Sequence, residues 1–406
     1  MRPLEGTFIL DFTHGVAGPY ATMLLADLGA DVVKVEKPGR GDATRYLNVS
    51  EKFVGDIPRS GGDYFLSINR NKRTVAIDLA TPKGSALALQ LAGKADVVVQ
   101  SFRPGVMTRL GLDEKQVRSV NPEVIYGSVS GYGLTGPLAD HPGMDVVIQA
   151  RSGVMAITGY PGSDPVKCGV SLADFAAGVH MSNALLGAIV YKLRSGKGQG
   201  VQVSLLDATI SMLANYAVAV IDGDEEIKPM GSGHPQLVPF QAFPSGDGFI
   251  VIGTGTNKLW SHLCAVLGLV DLPHDPRFAT NPDRVRHRTE LIPILSAKLR
   301  ERTTAEWLST FEREGIPCAP VNSLKQAFAE PQLAINEMIV EVPHPKYGSI
   351  HLVGVPYKYS ESVCGIERRP PLLGEHTDEV LRERLQMEPA AISALAAERV
   401  ISAANE

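Results

Sequence analysis

The sequence has few cysteines, and none are paired at a spacing typical of metal sites. Its four cysteines, Cys168, Cys264, Cys318 and Cys364, are far apart and form no CxxC pair. This pattern argues against a zinc ribbon and against a disulfide framework. The ten histidines are scattered without metal-ligand spacing, so we expect no metal site. Unpaired cysteines are typical of a reducing compartment, and we expect a cytoplasmic protein.

Other absences exclude further classes. The sequence contains no GxSxG elbow, no HExxH helix and no P-loop. No run approaches the roughly 18 apolar residues that a membrane span needs, and the N-terminus lacks the apolar core of a signal peptide. The net charge is −5 at pH 7, so neither nucleic acid nor an anionic membrane is an expected partner. An anionic ligand would have to be held by local Lys and Arg residues.

Apolar segments are abundant and follow a regular alternation. Hydrophobic residues make up 44% of the 406 residues and charged residues 20%, as in globular proteins that bury large cores. Short apolar strands, beginning with FILDF (8–12) and DVVKVE (31–36), alternate with predicted helices. This alternation predicts an α/β fold in which a Rossmann-like parallel sheet has helices on its faces.

The composition changes near residue 221. The segment IDGDEEIKPMGSGHPQ (221–236) is polar and rich in Gly and Pro, which indicates a linker or a mobile loop. The strand FIVIG (249–253) follows it, and then three predicted helices near 257–267, 284–300 and 303–314. We therefore predict three segments: 1–222 as the N-terminal part of a large α/β domain, 223–325 as a smaller α+β domain, and 326–406 as a C-terminal part that returns to the large domain.

Basic residues recur beside the predicted strands. They form three groups: Lys37, Arg40 and Arg45 after the second strand; Arg70, Lys72 and Arg73 before the third; Arg103 and Arg109 after the fourth. Strand ends and neighbouring helix N-termini of open α/β sheets bind phosphorylated ligands. Solvated surface charge is the alternative for any single residue, but the recurrence favours a polyanionic ligand with a nucleotide tail.

The segment GVSLADFAAG (169–178) places one carboxylate, Asp174, at the start of a long apolar stretch. Aspartate is favoured near helix N-termini, where it stabilises a helix by roughly 1 kcal/mol. The same position suits a nucleophile, because the helix dipole favours the ionised form while apolar neighbours exclude water. Position alone leaves both interpretations open, and both can hold together.

The sequence resembles the class III (family III) CoA-transferases over essentially its whole length. The resemblance is carried by LDFTHGVAGPYATMLLADLGADVVKVEKPGRGD, FLSINRNKRTVAIDL, SFRPGVMTRLGL, SLADFAAGVHMSNALLGAI, GKGQGVQVSLLDA, GIPCAPVNS and PPLLGEHTDEVL. Two further segments, GHPQLVPFQAFPSGDGFIVIGTG and FAEPQ, are most similar to succinyl-CoA:dicarboxylate members of the succinate–hydroxymethylglutarate type.

The resemblance implies an enzyme that moves CoA from an acyl-CoA, expected to be succinyl-CoA, to a small carboxylic acid, expected to be a dicarboxylate. Coenzyme A and acyl-CoA would be substrates, with no permanently bound cofactor. Asp174 would be the catalytic nucleophile, passing through a mixed anhydride and an aspartyl-CoA thioester. Members of the family form interlocked homodimers, so a homodimer is expected here.

The resemblance also assigns binding residues. Those expected to contact CoA are His14, Val16, Ala17, Lys37, Lys72, Arg73, Phe102 and Arg109. Asp145 lies where relatives carry an acid that supports the site. Gly231, Ser232, Gly233 and His234 begin a segment expected to close over the acyl intermediate, with an interdomain linker as the alternative. Gln100 and Ser101 replace the Glu-Asn of formyl-CoA transferase-like members, so a CoA contact there would be lost or replaced.

Other functions remain as alternatives. An α-methylacyl-CoA racemase carries His in a Gly-His-Asp segment, which here is Gly143-Met144-Asp145, with His141 three residues earlier. Methionine cannot exchange a proton. A CoA-binding protein without turnover is a second alternative, against which the intact Asp174 argues. A formyl-CoA:oxalate transferase is the third. A longer diacid has a distal carboxylate to be held, and Arg284, Arg286 and Arg288 are candidate partners.

Overall fold

The computed structural model describes residues 1–53 and 57–402, and the chain divides into two compact units. The first unit comprises Met1–Val154, Lys167–Glu225 and Pro331–Glu406, and the second comprises Met155–Val166 and Glu226–Glu330. Residues 155–166, which the sequence prediction placed in the large domain, thus belong with the second unit. There the Gly159 carbonyl accepts the N–H of Gly231 at 2.7 Å. The predicted domain ranges also include 54–56 and 403–406, which lie outside the described residues.

The strands are, in chain order, β1 (Phe8–Phe12), β2 (Asp31–Glu36), β3 (Lys72–Ile77), β4 (Val97–Gln100), β5 (Ile125–Ser130), β6 (Gly200–Ser204), β7 (Phe240–Pro244), β8 (Phe249–Gly253), β9 (Cys318–Pro320), β10 (Ile339–His344), β11 (Gly348–Val353) and β12 (Ile401–Ser402).

The helices are α1 (Ala17–Asp27), α2 (Asp63–Ile68), α3 (Pro82–Ala92), α4 (Val106–Arg109), α5 (Glu114–Val120), α6 (Asp145–Arg151), α7 (Val154–Ile157), α8 (Leu172–Ser195), α9 (Leu205–Ser211), α10 (Ala214–Ile221), α11 (Asn257–Leu267), α12 (Asn281–Arg286), α13 (Arg288–Leu299), α14 (Thr304–Arg313), α15 (Leu324–Ala327), α16 (Pro331–Ile335), α17 (Thr377–Leu385) and α18 (Pro389–Ala397).

The first unit is built on a seven-stranded sheet in the order β12-β3-β2-β1-β4-β5-β6. All neighbouring strands are parallel except β12, which runs antiparallel to β3. In β1, Ile9 and Leu10 point to opposite faces and join different buried clusters, since successive side chains of a strand alternate. Both faces are therefore covered, as expected for a parallel sheet. This confirms the α/β prediction.

Helix α8 is a 24-residue helix of the first core. Its buried residues include Ala173, Ala177, Met181 and Leu185, which recur every four residues and face α1, β5 and α9. By length and composition alone this helix could cross a membrane, and half of its most apolar stretch is buried within this chain. The packing is that of a core helix in a globular unit.

The second unit combines a small antiparallel sheet with helices, as the sequence predicts. Strands β7, β8 and β9 form the sheet, and Trp260, Phe278 and Trp307 lie in its core. The predicted helix 284–300 is two helices, because a capping box at Thr280 starts α12 early and His287 leaves the helical conformation. Strands β10 and β11 form a separate antiparallel pair.

Candidate active site

The loop after β1 and the residues after β4 meet at the carboxyl edge of the sheet. The His14 N–H donates to the Ser101 hydroxyl at 2.8 Å, and that hydroxyl donates to the His14 carbonyl at 3.3 Å. The rings of His14 and Phe102 are 5.0 Å apart in an edge-to-face arrangement. The structure therefore brings His14 and Phe102 together, and Ser101 ties them to each other. The sequence alone did not reveal this role of Ser101.

The buried ion pair of Lys34 and Asp42 holds the loop that contains His14. The Lys34 ammonium donates to the Thr13 carbonyl at 2.5 Å and lies 2.9 Å from Asp42 Oδ2. His14 Nδ1 is 3.7 Å from that same carboxylate oxygen. Burial, and then the positive charge of Lys34, lower the pKa of His14. The imidazole is therefore neutral at pH 7 and presents an uncharged ring beside Phe102.

Lys72 and Arg73 lie at the amino end of β3. The Lys72 ammonium is buried and binds Asp11 Oδ2 at 3.1 Å and the Pro19 carbonyl at 2.8 Å. Arg73 is buried against three carboxylates, those of Asp31, Glu379 and Glu383. Both cations are engaged within the protein, and the expectation that these residues contact CoA stays a prediction.

Lys37 and Arg109 remain available to an anion. Lys37 follows β2 at the carboxyl edge of the sheet, and Arg109 ends α4; both are exposed. Within residues 1–53 and 57–402 neither side chain has a hydrogen bond or an ion pair with the protein. Of the lysines and arginines predicted to bind CoA, these two have charged groups without a protein partner in the described residues.

Helices α1 and α8 approach closely beside the His14 loop. A Cβ on Gly178 would lie 2.9 Å from the Ala17 carbonyl oxygen, so glycine is required at this contact. The rings of Tyr20 and Phe175 pack edge to face at 4.8 Å. Asp174 is one turn before Gly178 on the same helix face, so it lies one turn from the contact of Gly178 with the start of α1.

Asp174 does not cap its helix. In the part of the chain that the structure describes, its carboxylate has no hydrogen bond or ion pair. The carboxylate of Asp145 instead accepts the N–H of Ala173 at 2.8 Å, and so satisfies one of the free donors of the α8 N-terminus. Asp174 is left free to react, while Asp145 has the capping role.

The environment of Asp174 favours its protonated form. Burial, and then the negative charge of Asp145, raise the pKa of Asp174 to about 7. This corrects the expectation that the helix dipole keeps the group ionised, since removal from water is the larger effect. Near pH 7 the carboxyl group is thus divided between its two forms.

We predict that Asp145→Asn shifts the pH dependence of activity. Removing the negative charge lowers the pKa of Asp174, so the acid limb of kcat/KM should move to lower pH by about one unit. The pH profile with acyl-CoA as the varied substrate measures this, because it reports groups of the free enzyme. Asp140→Asn, which changes an exposed acid nearby, is the control. An unshifted acid limb in Asp145→Asn would contradict the prediction.

The Gly-rich segment of the second unit is anchored at several points. Gly231 has φ +61°, and a Cβ there would lie 2.7 Å from the Tyr160 ring. The Ser232 hydroxyl accepts the N–H of Ala242 at 3.0 Å, and the Gly233 N–H donates to the Met230 carbonyl at 3.0 Å. The His234 N–H donates to the Phe240 carbonyl at 3.1 Å. Residues 231–234 therefore form a loop whose conformation is held by contacts within the second unit.

The three candidate arginines have different surroundings. Arg284 is buried, donates to the carbonyls of Val238 and Phe278 and lies over the Trp260 ring, so it is structural. Arg286 pairs with Asp283 in its own helix. Arg288 donates from Nη2 to the carbonyls of His234 and Pro235, both at 3.0 Å. Arg288 alone among the three combines contact with the Gly-rich loop and no carboxylate partner in the described residues.

Comparison with known proteins identifies the family. The model of CoA-transferase family III matches residues 4–377. The chain belongs to CoA-transferase family III. The Homo sapiens succinyl-CoA:glutarate CoA-transferase is 40% identical over 401 residues, which cover 99% of this chain and 90% of that protein. The Acetobacter aceti acetyl-CoA:oxalate CoA-transferase is 36% identical over 359 residues, covering 88% and 89%.

A solved structure confirms the fold of this CoA-transferase. The crystal structure of a CAIB/BAIF family protein from Brucella suis is 33% identical, with a TM-score of 0.85, and the match covers 94% of this chain and 99% of that one. The resemblance identified from the sequence motifs is confirmed, and the chain is an enzyme that transfers CoA.

Proposed function

We propose that this CoA-transferase moves CoA from succinyl-CoA to a dicarboxylic acid through covalent intermediates on Asp174. The observation that carries the proposal is the state of that carboxylate: it is largely removed from water, has no hydrogen bond within the described residues, and lies one helical turn before Gly178, which contacts Ala17. A group with these properties is suited to act as a nucleophile.

The chemistry divides one unfavourable exchange into simpler steps. The ionised Asp174 carboxylate attacks the thioester carbonyl, and the C–S bond breaks. This step forms a mixed anhydride of Asp174 and the succinyl group and releases CoA as the thiolate. The thiolate attacks the aspartyl carbonyl, which releases succinate and forms an aspartyl-CoA thioester. The acceptor carboxylate then attacks this thioester to give a second anhydride and free thiolate. The thiolate attacks the acceptor acyl carbon, which forms the new acyl-CoA and restores Asp174.

The substrate class rests on the relatives and on Arg288. A succinyl-CoA:glutarate enzyme is among the most similar proteins, and both acids have a distal carboxylate. The Arg288 guanidinium binds the loop carbonyls through Nη2, which leaves its other N–H donors for a carboxylate. On the second unit, Arg288 is therefore our candidate for binding a carboxylate. The oxalate enzyme among the relatives keeps an oxalate acceptor as the second candidate.

The proposed assembly is the interlocked homodimer, in the cytoplasm. Helix α10 is apolar, yet none of its residues is buried within this chain, and Val218 and Ile221 are 71% and 79% exposed. On α8, Val190 and Leu193 are further exposed apolar residues. Apolar surfaces of this kind are covered by a partner in stable proteins. Light scattering should give twice the chain mass, and a folded monomer at micromolar concentration would contradict it.

Trapping the covalent intermediate tests the function. The enzyme is incubated with succinyl-CoA alone and quenched with hydroxylamine, and the modified residue is mapped by mass spectrometry. Asp174 should become a hydroxamate, and Asp174→Ala should stay unmodified. Labelling by formyl-CoA or acetyl-CoA but not by succinyl-CoA would replace the donor and keep the mechanism. The absence of labelling with all three would overturn the proposal.

A further inference from the structure

Gln149 is a fully buried amide on α6 that no part of the proposed chemistry uses. Its side chain makes three contacts: Nε2 donates to Asp145 Oδ2 at 2.8 Å and more weakly to the Val170 carbonyl at 3.5 Å, while Oε1 accepts the N–H of Cys168 at 2.8 Å. Gln149 has no exposed surface. A buried amide with both ends engaged is a fixed structural link.

This link leads to the nucleophile. Gln149 holds one oxygen of Asp145, whose other oxygen accepts the N–H of Ala173 at 2.8 Å. Ala173 directly precedes Asp174 in the first turn of α8. The same amide also holds the backbone at Cys168 and Val170, which leads into α8. Two separate sets of hydrogen bonds from one side chain thus determine where α8 begins.

We propose that Gln149 is a positioning residue for the reaction: its amide orients the Asp145 carboxylate and the chain entering α8, and so places the Asp174 carboxyl for attack on the thioester. The proposal rests on the function proposed above. A loss of orientation by about 1 Å lowers a rate by up to about 100-fold, although the substrate still binds.

Few other charged groups lie on the elements around Gln149. On its own helix, Arg151 lies over the Tyr132 ring, 5.7 Å from its centre. Lys167 donates to the Cys168 carbonyl at 3.1 Å. Helix α9, which packs on α6, carries Asp207 in its first turn. Helix α8 carries Asp174, His180, whose Nε2 lies 2.9 Å from the Ser211 hydroxyl, and Lys192 and Arg194 in its last turn. Asp145 is the group that accepts directly from Gln149.

The variant Gln149→Glu separates positioning from general stability. Its side chain has the same shape and still accepts the Cys168 N–H. An ionised Glu cannot donate to Asp145, so two carboxylates would face each other. When the introduced carboxyl group is protonated at lower pH, it can again donate a hydrogen bond to Asp145. Gln149→Met removes all three side-chain hydrogen bonds at every pH and cannot recover.

The experiment measures single-turnover formation of the hydroxylamine-trapped Asp174 adduct from pH 6 to pH 8. For Gln149→Glu at pH 8 we expect a rate about 10- to 100-fold below wild type, with the half-saturating acyl-CoA concentration within about twofold. The deficit relative to wild type should shrink towards pH 6 for Gln149→Glu and stay constant for Gln149→Met. Ser152→Ala, which loses a hydrogen bond to the Gln149 backbone carbonyl, should behave as wild type.

Two results would overturn the proposal. One is a Gln149→Glu enzyme that forms the adduct at the wild-type rate at pH 8. The other is a pH-independent deficit shared by Gln149→Glu and Gln149→Met. In both cases the wild type still forms the adduct, so the proposed function stands. A wild type that forms no adduct with any acyl-CoA would instead contradict the proposed function itself.

Discussion

Replacing Asp174 by asparagine should abolish CoA transfer and make the protein more stable above pH 7. The amide has nearly the shape of the acid but cannot form an anhydride, so we expect kcat to fall by about four orders of magnitude or more. The second effect follows from the environment of the carboxyl group. Burial, and then Asp145, raise the pKa of Asp174 to about 7, so the folded wild type contains an unfavourable buried charge at pH 8.

The sign of the stability effect can be checked against pH. A carboxyl group whose pKa is higher in the folded state binds more protons when folded, so its contribution is favourable at low pH and is lost as the pH rises through about 7. The unfolding temperature of Asp174→Asn should therefore exceed that of wild type at pH 8, and the difference should shrink towards pH 4. Asp140→Asn is the control for both activity and stability. An Asp174→Asn variant that retains transfer, or that is less stable at pH 8, would contradict this account.

Replacing Lys72 by methionine should destabilise the first unit strongly. Lys72 is buried and holds Asp11, the Pro19 carbonyl and the Asn69 side-chain oxygen. Burial alone would raise the pKa of Asp11, but the charges of Lys72 and Lys34 outweigh it and keep the pKa below its ordinary value. Removing one partner of a buried ion pair leaves the other charge partly uncompensated, which costs about 3–5 kcal/mol.

The matched control is a surface lysine with a carboxylate partner. Lys83 binds Glu398 at 2.7 Å, with 62% of the lysine side chain exposed. Lys83→Met should change the free energy of unfolding by less than about 1 kcal/mol. Denaturant unfolding of both variants beside wild type measures the difference. Equal effects of the two substitutions would show that burial adds nothing to the Lys72 interactions.

Much of the fold could be predicted from local patterns. Strands such as FILDF and DVVKVE are fully or almost fully buried runs whose bounds agree with the structure, because a strand covered on both faces favours a mostly apolar sequence. Their buried charges, such as Asp11 and Lys34, have charged partners. Helix α8 was predicted from its apolar length, and Asp174 from its isolation within that segment. These features depend on near neighbours in the chain, and sequence displays such neighbours directly.

The roles of individual charges could not be predicted in the same way. Arg73 lies in a basic cluster that suggested an anion site, but its partners Glu379 and Glu383 are more than 300 residues away in the chain. Asp145 takes the capping role that the sequence position suggested for Asp174, because α6 and α8 pack together. Which acid meets which donor depends on the packing of distant segments, and no local spacing encodes it.

The arrangement of the chain also constrains how it is synthesised. Strand β12 completes the edge of the seven-stranded sheet, and Arg73 gains two of its three carboxylates from α17. The first unit therefore cannot complete its sheet until β12 has left the ribosome. The second unit draws most of its residues from the single stretch 226–330. It can therefore fold during synthesis before β12 is available to pair with β3 in the first unit.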